Sequence, residues 1–229
     1  GLIVGNGELN AIVYSSGNDI RLRVSKNDCW DMRINTSENS PLPTIDVAKQ
    51  TFTGEQGKAQ PSWEKYVHPT ALPCTDISLA GVTGQTAWKS ARLDLAKAAA
   101  TVLSDKDAVT VRVLSQRNVI LIESDRSIAL NGVRDLVKDR DGKPISDWVS
   151  AATTGKRGDL FCLKQSIPGN ADVCGMGIFV VAGRNGPRQA VAVVTSRESK
   201  QPLEDAVKLV EVTLTDVGAL AAHEDAWKS

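Results

Sequence analysis

The feature that most constrains this chain is a two-residue alternation over Ile20-Arg21-Leu22-Arg23-Val24-Ser25. Side chains at i, i+2 and i+4 line one face of a strand, so Ile20, Leu22 and Val24 define a buried face and the arginines a wet one. The preceding run from Leu9 to Tyr14 is small and β-branched, and Gly17-Asn18-Asp19 between the two is turn-forming, which predicts a β-hairpin. Its second strand runs into Asn27-Asp28-Cys29-Trp30-Asp31, a polar and aromatic corner beside the Gly5-Asn6-Gly7 loop, with Trp30 largely packed. Gly5-x-Gly7 is also how a dinucleotide-binding loop begins, but that loop needs a third glycine and a helix to follow. Here the third position is Asn10 and a strand pattern follows, so the glycines are read as a tight turn.

The same period recurs downstream. Val109, Val111 and Val113 alternate with Thr110 and Arg112, Ser115 to Asn118 turn the chain, and Val119-Ile120-Leu121-Ile122 is apolar on both faces, the mark of a central strand covered on both sides. Residues 86–104 are ambiguous: the alanines favour helix, whereas Arg92-Leu93-Asp94-Leu95 and then Ala98, Ala100 and Val102 alternate, and strand is the reading adopted. Further strands are predicted over 160–163, 176–182 and 190–195, with a turn at Arg184-Asn185-Gly186-Pro187. Residues 34–84 are broken by prolines and read as a long irregular excursion carrying Trp63, Tyr66 and His68; residues 151–158 read as a turn, and Asp141-Gly142 as a hairpin tip, since a calcium loop would need its glycine later. Helical spacing is plain only near the C-terminus, where Ser199 is a candidate cap, Leu203, Ala206, Val207 and Val210 share a face, and residues 214–227 form a second apolar stripe ending in Trp227. Successive hairpins followed by helix predict a mainly β, two-sheet antiparallel sandwich.

Composition narrows the partners. Lysine plus arginine equals aspartate plus glutamate at 27 each, so no net field would gather nucleic acid. No apolar run is long enough to cross a bilayer as a helix. The first residue is not methionine, from which a longer precursor is expected. Cysteines at 29, 74, 162 and 174 have no zinc spacing, no metal or cofactor motif is found, and the four allow three disulfide pairings or none.

The order GLIVGNGELNAIVY, hairpin, IRLRVSKNDCWD resembles the N-terminal β-sandwich domain of bacterial glycoside hydrolases related to the family-95 α-L-fucosidase and L-galactosidase group. Those domains open with a G-N-G-x-L-G-A-type loop and strand, followed by a strand ending in N/K-x-D-x-W; Asn10 departs from the pattern. PLPTID and HPTALPC resemble a later proline-containing segment of the group. The resemblance is most specific at the first hairpin, around SQRNVILIESD, and from AVAVVTSRES to AAHEDAW. It implies a galactose-mutarotase-like supersandwich over residues 1–198, and a helical segment over 199–229 leading into a catalytic (α/α)6 barrel of the same polypeptide. It further implies a carbohydrate substrate, no cofactor, and a periplasmic or secreted location.

Glycoside hydrolysis needs two positioned carboxyl groups. Asp28 and Asp31, three residues apart at a strand end where both could face one solvated loop, are the pair to consider. In the hydrolase group the catalytic groups belong to the barrel, so no catalytic residue is expected in this chain. Asn6, Glu8, Asp28, Trp30 and Asp31 are expected to edge a substrate site, and His223 and Trp227 to face the following domain. An autonomous carbohydrate-binding sandwich is the alternative, although it needs an exposed aromatic platform and only 4% of residues are aromatic. A mutarotase-type epimerase would need a histidine on the concave face, whereas the two histidines here lie at 68 and 223.

Overall fold

The alternating first hairpin is realised as β2 (Leu9–Ser16) against β3 (Asp19–Asp31), with β1 (Leu2–Gly5) folded back on β2. The computed structural model describes residues 1–16, 19–32, 45–46, 70–80, 89–104, 107–133, 149–169 and 174–228. Trp63, Tyr66, His68 and the Asp141-Gly142 tip lie outside them. Among the described residues, β4 (Thr70–Ala80) and β9 (Ser127–Asn131) complete a five-stranded antiparallel sheet in the order β1-β2-β3-β4-β9.

A second antiparallel sheet has eight strands among the described residues. It is built from β5 (Ser90–Asp94), β6 (Ala99–Leu103), β7 (Ala108–Val113), β8 (Val119–Glu123), β10 (Thr153–Arg157), β11 (Leu160–Ile167), β12 (Met176–Asn185) and β13 (Arg188–Thr195). Their order is β10-β11-β12-β13-β8-β7-β6-β5. The 86–104 ambiguity resolves as the β5–β6 hairpin, turned at Ala98 with φ +43°.

Alternation assigns each strand's two faces to two cores. Ile120 and Ile122 of β8, Val191 and Val193 of β13, and Ile178 and Val180 of β12 point at the smaller sheet, where they meet Leu9, Ile20, Leu22, Ile77 and Leu79. Val119, Leu121, Ala190, Ala192 and Val181 point the other way, onto α1 (Pro202–Thr215). That third layer is why residues 119–122 are apolar throughout. Proline in the first turn of α1 fits where no intrahelical N–H bond is lost, and Glu204 and Asp205 complement the positive helix end. Gly183 lets the helix close on β12, since a Cβ there would stand 2.8 Å from Val210 Cγ1 and 2.5 Å from Leu160 Cδ2.

Four local expectations are corrected. Residues 70–80, read as irregular, are an inner strand of the smaller sheet. Their pattern is obscured because buried positions shift from Leu72 and Cys74 to Ile77 and Leu79, with buried Thr75 and Asp76 between and a register shift opposite Val24/Ser25. Residues 153–157, read as a turn, form β10, which is outermost in its sheet among the described residues, and whose every residue is exposed, so that it lacks an apolar signature. The 214–227 stripe is not one helix: Leu214 belongs to α1, the Asp216 carboxylate accepts from Gly218 N at 3.0 Å, Val217 is 93% exposed, and α2 (Ala219–Lys228) starts afresh. Ser199 is not the cap of α1, which begins after Gln201. The Ser199 hydroxyl instead accepts from Gln201 N at 2.9 Å and donates to Asp205 at 2.5 Å.

Candidate functional site

The β1–β2 turn is built on Asn6. Its Oδ1 accepts from the backbone N–H groups of Glu8 and Leu9 at 3.0 and 2.8 Å, while Gly7 takes φ +93°, a region that favours glycine. The Asn6 amide reaches across to the β7–β8 turn, donating to Leu114 O at 3.0 Å and Asn118 Oδ1 at 3.2 Å. A strand follows the loop, so no helix N-terminus stands behind it for a pyrophosphate. Asn27 joins loop to corner: its backbone N–H donates to Glu8 O at 3.0 Å and its side chain to Gly7 O at 2.6 Å. The glycine loop and the 27–31 corner are therefore neighbours at one end of the sandwich.

Between them lies Lys26, whose side chain is fully buried. It occupies the next core-facing position after Ile20, Leu22 and Val24, where an ammonium survives only with counter-charges. Three are present: Glu8 Oε1 at 2.9 Å, Asp28 Oδ1 at 3.1 Å, and Glu198 Oε2 in closer contact. The Thr195 hydroxyl, at the end of β13, donates to Asp28 Oδ2, and Arg197 donates to Asp28 O at 2.8 Å. One lysine thus fastens the glycine loop, the β3 corner and the segment between β13 and α1.

The carboxyl groups are tuned apart. Burial pushes Asp28 up, but the Thr195 hydroxyl and the Lys26 ammonium outweigh it and hold Asp28 below its ordinary value. Glu8 is lowered by its hydrogen bonds to Asn118 and Lys26. Burial dominates at Glu198 and raises it, against the pull of Lys26. Glu198 therefore binds its proton more tightly when folded, so its contribution to stability grows as pH falls through the raised value from neutrality. Asp28 and Glu8 act in the opposite sense, contributing stability above about pH 4 that is lost below it. In Glu198→Gln the acid-side gain should vanish, giving a melting temperature that falls more steeply from pH 7 to 4 than in the wild type. A profile parallel to the wild type would show that Glu198 titrates normally.

Asp28 and Glu198 share two partners: the Lys26 ammonium lies against a carboxylate oxygen of each, and the Thr195 hydroxyl faces both. Retaining glycosidases hold their two carboxyl groups about 5–5.5 Å apart and inverting ones farther, with the sugar between. Here the Lys26 ammonium occupies the space between the two carboxyl groups. Beyond Glu198 opens a cleft of about 450 Å³ lined by Arg117, Ser199, Asp205 and Lys208 over Val194, Leu209 and Val212. Among the described residues no three His, Cys, Asp or Glu side chains are arranged to hold a metal, and no helix is long and apolar enough to cross a membrane.

Of the residues singled out in the sequence, Asn6, Glu8 and Asp28 come together in this cluster. Trp30, expected to be packed, is 38% exposed, with its indole N–H donated to Asn27 O at 2.8 Å. Asp31 is 3% exposed and does not share a solvated loop with half-buried Asp28, because the irregular pairing between Ser25 and Trp30 switches the buried face from even to odd positions. His223 is 1% exposed, accepting from Ser115 N at 3.2 Å and contacting Lys97 O at 3.2 Å, so it is enclosed by its own chain instead of facing another domain. Trp227 is 45% exposed, with its indole N–H on Leu95 O at 2.6 Å. The sequence reading missed Lys26, Thr195 and Glu198. Lys26 had a signal, a charge in the buried phase of an alternating strand; the other two are set by long-range pairing.

No known family model matches the chain, and no curated protein matches it.

Proposed function

We propose that the chain is the accessory N-terminal β-sandwich domain of a modular bacterial glycoside hydrolase, periplasmic or secreted, whose glycine-loop edge borders the substrate site of a following (α/α)6 barrel. One observation carries this reading. The stretches on which the resemblance to the hydrolase group is most specific are distant in sequence, yet they fold onto one edge: Asn6, Glu8, Lys26 and Asp28 from the first hairpin, Asn118 from the β7–β8 turn, Thr195 and Glu198 after β13. The half-exposed Trp30 ring stands at that edge, an aromatic face of the kind that stacks on sugars. The carboxyl groups beside it are committed to the Lys26 ammonium, which suits a supporting edge better than a catalytic pair.

Residues 1–229 alone are expected to turn over no aryl-fucoside, aryl-galactoside or oligosaccharide. Turnover abolished by Asp28→Asn would place a catalytic centre here and overturn the proposal. In the native polypeptide, Trp30→Ala should raise KM on the order of tenfold with kcat little changed, the loss of one stacking contact. The coding sequence after the Ser229 codon tests the modular context: an open frame through a helical-repeat domain is expected, and an immediate stop codon would sink it. The exposed Trp30 ring favours a second reading, an autonomous carbohydrate-binding sandwich, which requires millimolar or tighter sugar affinity in residues 1–229 by themselves.

A further inference from the structure

Cys29 and Cys74 lie on the neighbouring strands β3 and β4, and both are fully buried in the core between the sheets. The ladder between them is irregular: the segment from Ser25 to Trp30 on β3 faces only Pro73 to Ala71 on β4. Such a bulge turns side chains out of the ordinary pleat, and here it puts Cys29 on the same core face as Cys74 of the neighbouring strand, both as free thiols. Cys162 sits half-buried on β11 in the other sheet, and Cys174 is exposed just ahead of β12. Of the three possible pairings, the geometry thus singles out the one that contains Cys29 with Cys74.

We infer that Cys29 and Cys74 are a disulfide site, closed when the chain folds in the presence of a low-molecular-weight disulfide such as oxidised glutathione. The thiolate of one cysteine attacks a glutathione sulfur, forming a mixed disulfide and expelling one glutathione thiolate; the second cysteine thiolate then attacks the protein-side sulfur and expels the other. Two protein thiols are oxidised, and the two expelled glutathione thiolates take up the two protons that the protein thiols release, giving two glutathione thiols. The neighbouring Cys29 thiol and burial push the Cys74 thiol up, which makes it a poor nucleophile when folded. Exchange therefore belongs to the folding or locally opened chain, and the closed bond is shielded from reductants by the same burial. The bond closes the loop over residues 30–73, removing loop entropy from the unfolded chain. It ties the strand that ends at the Trp30 corner to the strand on which the chain returns. The inference stands apart from the glycoside hydrolase reading.

The test is to refold the reduced 229-residue chain in a buffer of reduced and oxidised glutathione, quench in acid, alkylate under denaturing conditions without reductant, and map peptides by mass spectrometry. A cross-linked peptide pair containing Cys29 and Cys74, two hydrogen atoms lighter than the sum of its reduced parts, is expected, with Cys162 and Cys174 alkylated. The oxidised chain should keep the circular dichroism of the reduced one and melt several degrees higher. The Cys162→Ala/Cys174→Ala variant should form the same bond. Alkylation of all four cysteines, a different pairing, or an oxidised chain that loses the native spectrum would overturn the inference.

Discussion

Replacing Lys26 by methionine is expected to lower folding stability by about 3–5 kcal/mol at neutral pH, the range for breaking a buried ion pair by removing one partner. The side chain is fully buried, and its loss leaves Glu8, Asp28 and Glu198 crowded together without their common counter-charge. Glu8 is more than half exposed and water can relieve it, which draws the expected value towards the lower end. Three hydrogen bonds and burial act on Lys26 together, and the bonds prevail, holding the ammonium above its ordinary value. Its contribution is therefore complete below about pH 10 and is lost only in stronger alkali. The penalty should shrink in acid, where protonation of the lowered Asp28 and Glu8 removes the need for a cation. Urea unfolding of both proteins at pH 7 and below about pH 3 measures this; equal stability at pH 7 would mean that the cluster is solvated.

Ile120→Ala and Leu121→Ala should each cost about 2–5 kcal/mol, the range for truncating a buried large aliphatic side chain. Both residues are fully buried on β8, and the symmetry ends there. Ile120 faces the core between the sheets and Leu121 the core under α1. Hydrogen exchange should separate them: faster exchange in α1 for Leu121→Ala, faster exchange in β2 and β3 for Ile120→Ala. Identical exchange patterns, or losses under about 1 kcal/mol, would contradict the assignment of one strand to two cores.

The parts of the fold legible in sequence are those where one strand face alone is buried or where both are. Ile20, Leu22 and Val24 read correctly because each odd neighbour is wetter, and residues 119–122 read correctly because no neighbour is. β4 was not legible: two polar residues, Thr75 and Asp76, occupy its core, Asp76 taking the Tyr14 hydroxyl at 2.7 Å. The site divides the same way. Asn6, Glu8 and Asp28 are local to one hairpin and were found together. Glu198 joins them only through the packing of β13 against β3 of the other sheet and the turn after β13, relations that no short spacing encodes. Asp31 was misplaced because a bulge reverses the parity of every residue beyond it, and nothing about Ser25 to Cys29 announces one.

The wholly exposed β10 has a consequence for encounters between copies of the chain. An open sheet edge offers unpaired backbone groups to any extended segment that meets it, and a long apolar edge invites cross-chain addition. Here the rim is Thr153-Thr154-Gly155-Lys156-Arg157, short and without an apolar side chain. The Lys156 ammonium lies 4.9 Å from the Phe161 ring centroid, and Arg157 reaches Glu204 of α1 at 3.4 Å. An incoming strand would have to strip water from two cations and displace both contacts before its first ladder bond formed. β10, outermost in the larger sheet among the described residues, thus acts as a guard rail against runaway β-polymerisation, a protection conferred by the very residues that left it invisible as a strand.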